Sequence, residues 1–133
     1  MDVLGAKVVC ETVAANPDAV YEFAREMDNL PKWASGVASG IERDGSHWYS
    51  QSPMGRVKVD MAPANEFRVL DHDVTLPDGT IVHNAFRVTP AGKGSVLTFV
   101  VLQTPGMSTD DLTRDAAHVA ADLLALKRLL EPR

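Results

Sequence analysis

The sequence predicts an α+β fold in which a curved antiparallel sheet wraps around one long C-terminal helix. Three observations lead there. Between Ser108 and Glu131, residues Leu112, Ala116, Val119, Leu123, Leu126 and Leu130 recur at steps of four, three, four, three and four, all on one face of a helix of 3.6-residue period. Upstream, short runs of alternating apolar and polar residues are separated by turn signals at Asp44-Gly45, Ser52-Pro53-Met54-Gly55, Leu76 to Thr80 and Ala91 to Gly94. A chain of 133 residues with 45% hydrophobic content has enough apolar material for one ordinary core, so residues 1–133 are expected to form a single domain.

The elements follow in order. Lys7 to Val13, rich in valine, reads as the first strand. Asn16-Pro17 opens a helix, with Asn16 as the cap and Pro17 at the first position, where its missing N–H is harmless. Val20, Phe23, Ala24 and Met27 make its apolar face. Asn29-Leu30-Pro31 breaks it and starts a short second helix carrying Trp33, so two short helices form a V. A strand near Ile41, the turn at Asp44-Gly45 and a strand from His47 to Gln51 come next. Val57, Val59 and Met61 alternate with Arg56, Lys58 and Asp60, a half-buried strand. A two-residue loop before that strand sets Trp48 and Ser50 opposite the valines; a three-residue loop sets Tyr49 and Gln51 there. The former is preferred, with Trp48 inward. Glu66 to Thr75 and Ser95 to Gln103 are further strands, the latter with Leu97, Phe99 and Val101 inward. Ser108 caps the closing helix with Asp111 three positions on, and Lys127 and Arg128 suit its C-terminal end.

One hairpin can be worked out residue by residue. Leu76-Pro77-Asp78-Gly79-Thr80 suits a three-residue loop, with Gly79 in the left-handed position. Val74 then faces Val82, His72 faces Asn84, Leu70 faces Phe86 and Arg68 faces Val88, on a mostly apolar face beneath the long helix. The other face carries Asp73 beside His83, and Asp71 within diagonal reach of Arg87. A loop one residue shorter or longer would redistribute these groups, so the turn decides the site.

Asn16-Pro17-Asp18-Ala19-Val20-Tyr21-Glu22-Phe23, Leu30-Pro31-Lys32-Trp33 and the helix bearing Asp122-Leu123 and Leu126-Lys127 resemble the START-like (SRPBCC) superfamily of helix-grip proteins. That superfamily includes polyketide cyclases and dehydratases, lipid-transfer proteins and pollen allergens. Ser52-Pro53-Met54-Gly55, Asn65-Glu66-Phe67, Leu70-Asp71-His72-Asp73-Val74 and His83-Asn84 look like a bacterial branch of small single-domain members. The resemblance covers nearly the whole chain. It implies a cavity between sheet and long helix for a small apolar or aromatic molecule, and it supplies no catalytic motif.

Within that frame Trp33, Trp48, Arg68, Leu70, Val74, Phe86, Phe99, Val101, Met107, Val119 and Leu123 are the expected ligand-binding residues, with His72 and Asn84 orienting the guest. His72 and Asn84 are also the catalytic candidates of a cyclase-type or dehydratase-type enzyme, an imidazole for acid–base work beside an amide that polarises a carbonyl. The plainer reading of the same pair, hydrogen-bonded polar groups kept for packing, is the preferred one for two such residues in a sheet. Arg68 could anchor a carboxylate or simply reach solvent. No metal is expected, because adjacent Asp71 and His72 on a strand point to opposite faces, and no cofactor motif is present. Net charge is -5, with no basic run, which argues against nucleic acid. Cys10 is the single cysteine, and no apolar run reaches the roughly 20 residues of a membrane span. With no secretory leader in Met1 to Val9, a cytoplasmic protein is expected. A homodimer would need an apolar outer sheet edge, and the sequence does not say which strands are edges.

Overall fold

In the computed structural model, which describes residues 3–132, the long helix α3 (Thr109–Leu130) has the predicted start and stop. The Asp111 backbone N–H donates to the Ser108 hydroxyl at 3.0 Å, and the Ser108 N–H donates to the Asp111 carboxylate at 3.1 Å. This reciprocal box satisfies two donors that have no partner within the helix. Leu112, Leu123 and Leu126 are buried, with Ala116, Val119 and Leu130 half-buried on the same face. Met1, Asp2 and Arg133, the ends of the expected domain, lie outside the described residues.

Among the described residues seven strands form one curved, open antiparallel sheet: β1 (Ala6–Val13), β2 (Glu42–Asp44), β3 (His47–Ser52), β4 (Gly55–Met61), β5 (His72–Thr75), β6 (Ile81–Ala91) and β7 (Gly94–Leu102). Their order is β1-β7-β6-β5-β4-β3-β2, so β1 and β2 are the edges. Helix α3 lies over β1 and β7. At its C-terminal end the Lys127 ammonium donates to the Thr12 carbonyl at 2.6 Å, and the Ala14 N–H donates to Glu131 at 2.8 Å. Helices α1 (Pro17–Arg25) and α2 (Leu30–Trp33), with single 3-10 turns at Met27–Asn29 and Ser35–Val37, close one side. Asn16 caps α1 by accepting from the Asp18 and Ala19 N–H groups.

Both register arguments can be checked pair by pair. The Leu76 N–H donates to the Thr80 carbonyl at 2.8 Å, and His72 pairs with Asn84, Asp73 with His83 and Val74 with Val82. The loop between β3 and β4 has two residues, so Trp48 pairs with Val59 on the inner face. The strand expected from Glu66 is shorter, starting at His72. The Asn65 side chain accepts from the Phe67 and Val69 N–H groups and donates to the Pro63 and Val69 carbonyls, folding this segment on itself. A local side-chain network of this kind competes with a ladder. Backbone bonds from Leu70 to Phe86 and from Val88 to Arg68 keep the strand's register beyond its end.

The join of β1 and β7 leaves room for no side chain at Gly94. A β-carbon there would stand 2.8 Å from the Val13 carbonyl oxygen, backbone against backbone. Beside it the Ser95 hydroxyl donates to the Ala15 carbonyl at 2.8 Å and pins the two segments together. Gly94→Ala is therefore expected to destabilise the protein by about 1–3 kcal/mol, the usual range for overpacking. An unchanged midpoint in urea denaturation would mean that the two backbones separate freely.

Candidate functional site

Alternation along the strands brings one set of side chains under α3, and they do not fill the space. A cavity of about 170 Å³ remains. Its floor is Val59 and Met61 from β4, His72 and Val74 from β5, Asn84 from β6 and Phe99 from β7. Leu30, Trp33, Ala34, Gly36 and Val37 form one wall, and Val119, Asp122 and Leu123 of α3 form the roof. An aromatic cluster joins wall and floor through Phe86, which lies outside the lining. Phe86 lies 5.6 Å from Trp33 and 5.3 Å from Phe99, and Phe99 meets the His72 ring edge-on at 5.9 Å, all centroid to centroid.

Three polar side chains, His72, Asn84 and Asp122, interrupt this apolar lining, and a fourth polar group is buried beside it. His72 Nδ1 lies 2.9 Å from the Leu70 carbonyl oxygen, which can only accept, so Nδ1 carries the proton and Nε2 keeps a lone pair. Burial holds the His72 pKa below the usual imidazole value, favouring the neutral ring. Asn84, beside it on the next strand, has no side-chain hydrogen bond among the described residues. On the roof, Asp122 accepts from the Ser35 backbone N–H at 3.2 Å, and its carboxyl pKa is raised by desolvation. Trp33 is 6% exposed, and its ring N–H is buried without a partner. A buried donor of this kind costs free energy unless something accepts from it.

Of the residues expected from sequence, Trp33, His72, Val74, Asn84, Phe99, Val119 and Leu123 line the cavity. Leu70, Phe86 and Val101 are buried core residues outside that lining. Trp48 faces inward but lines an adjoining open groove with Arg25, His47 and Pro63, which shares Val59 and Met61 with the cavity. Met107 packs beside the start of α3, its carbonyl accepting from the Gln103 amide. Arg68 adopts a left-handed backbone with φ 58°, and its guanidinium donates to Asp18 at 2.8 Å, outside the cavity. Asp122 was not anticipated as a site residue. The available signal was its spacing, since it follows Val119 by three positions and adjoins Leu123 on the buried face.

The opposite face of β5 and β6 is charged. His83 Nδ1 lies 2.7 Å from Asp73, and Arg87 lies 3.3 Å from Asp71. The strand alternation that turns His72 inward turns these groups outward, and among the described residues no three metal-binding side chains converge. No helix among the described residues is long and apolar enough to cross a membrane.

Several solved structures share the fold. XoxI from Bacillus cereus superposes with a TM-score of 0.75 at 11% identity, covering 96% of each chain. CalU16 from Micromonospora echinospora gives 0.68 at 14% identity, covering 93% of this chain and 73% of that one. The Aha1 dimer from Colwellia psychrerythraea gives 0.72 at 18%, covering 96% and 97%. At these identities the likeness is one of fold. No curated protein sequence matches. The profile of a family described as polyketide cyclase / dehydrase and lipid transport matches residues 6–131, and with the helix-grip architecture this establishes that the chain belongs to that family.

Proposed function

We propose that this protein binds a small apolar or aromatic molecule in the cavity between the sheet and α3. The observation that carries the reading is an apolar space of about 170 Å³ whose floor offers one neutral imidazole and one amide. An apolar cavity of about 150 Å³ is enough to take up benzene, so a space of this size has room for a single ring. Membership of a family that includes cyclases and lipid-transport proteins supports ligand binding in general.

The test is direct. Toluene added to the purified protein should shift the methyl NMR signals of Val74, Val119 and Leu123 and leave those of Val8, on the exposed edge strand, in place. Uniform shifts, or none, would refute the cavity as a binding site.

A second reading, an enzyme acting on a carbonyl substrate, is favoured by the free Nε2 of His72. That nitrogen could take a proton from the carbon beside the carbonyl while the Asn84 amide donates to the developing enolate oxygen. His72→Gln separates the two readings: a carrier loses only affinity, an enzyme loses turnover.

A further inference from the structure

The cavity contains a charge that its binding role alone does not require. Among the described residues Asp122 is the only Asp, Glu, Lys or Arg in the lining, and Arg68, the cation expected to anchor a ligand carboxylate, is bound to Asp18 elsewhere. We propose that Asp122 makes the cavity selective for a neutral ring bearing a hydroxyl group and excludes carboxylates. This rests on the ligand-binding reading above and specifies its chemistry.

The hydrogen-bonding inventory supports the choice. His72 Nε2 is an acceptor, and its Nδ1–H is already committed to Leu70. Asp122 accepts through its carboxylate, with Oδ1 taking the Ser35 N–H. Asn84 offers both an acceptor and a donor. A hydroxyl oxygen donates and accepts, so it can use both kinds of group; an ammonium can only donate and would leave the Asn84 amide N–H unmet. A carboxylate is served worse. It would bring a second negative charge into a space lined by Val, Leu and Phe with no cation to offset it.

Asp122 and His72 stand on opposite walls, helix and sheet. A ring between them therefore meets a polar group at either end and apolar side chains along its faces.

Four single-ring probes test this by titration calorimetry at neutral pH: phenol, toluene, benzoate and benzylammonium. Phenol should bind about tenfold more tightly than toluene, the value of one or two added hydrogen bonds. Benzoate should bind at least about a hundredfold more weakly than phenol. In Asp122→Asn the amide oxygen can still accept from Ser35, so the local structure should persist. Benzoate affinity relative to that of toluene should then rise about tenfold. Benzoate or benzylammonium binding the native protein more tightly than phenol would overturn the assignment. So would an Asp122→Asn variant that rejects benzoate as before. Equal binding of toluene and phenol would end the hydroxyl preference but leave the cavity a binding site, whereas no binding of any probe would defeat both.

Discussion

Truncation of Phe86 to alanine is expected to lower the free energy of unfolding by about 3–5 kcal/mol, a large part of what a domain this size has. Phe86 is 0% exposed and sits between Trp33 and Phe99, so its ring couples α2 to the centre of the sheet. Its backbone carbonyl also accepts from Leu70 beyond the end of β5, which holds the surrounding chain in place and limits collapse around the void. Denaturant unfolding measures the loss directly. Phe67→Ala is the control, since Phe67 is 73% exposed and its removal should change stability by no more than about 0.5 kcal/mol. A Phe86→Ala loss below about 1 kcal/mol would mean that the aromatic cluster closes over the gap.

Filling the cavity from its roof should produce effects of opposite sign on binding and stability. Val119 is half-buried on α3 and lines the space beside Asp122 and Leu123. In Val119→Phe the new ring occupies the volume a guest ring would take. Binding of toluene should fall by roughly tenfold to a hundredfold, corresponding to the lost burial of an aromatic ring. The melting temperature should hold or rise, because cavity-filling substitutions commonly add about 0.5–2 kcal/mol. Loss of stability together with retained binding would show that the ring turns away from the cavity and that the roof is not where the guest lies.

Local rules of sequence reach far into this protein. The step pattern from Leu112 to Leu130 and the box at Ser108 and Asp111 define α3 because helix periodicity and capping depend on residues within a few positions of one another. The turn at Leu76 to Thr80 defines which side chains of β5 and β6 share a face, and hence that His72 and Asn84 meet. Once a loop length is known, every pair along an antiparallel hairpin follows. The segment from Glu66 escaped this logic. Asn65 bonds four backbone groups of its own neighbourhood, and Arg68 enters a left-handed conformation that strand propensity does not foresee.

The sequence alone determined the α+β class, the closing helix, the hairpin register and the pairing of His72 with Asn84, all consequences of spacing along the chain. Tertiary structure decided which inward residues border empty space and which are packed solid: Phe99 lines the cavity while its neighbour Phe86 does not. It also brought Asp122 over the sheet and drew Arg68 away to Asp18, a residue 50 positions distant. Void volume and ion pairing between remote segments depend on how whole elements settle against one another, and no period or turn in the chain encodes that distance.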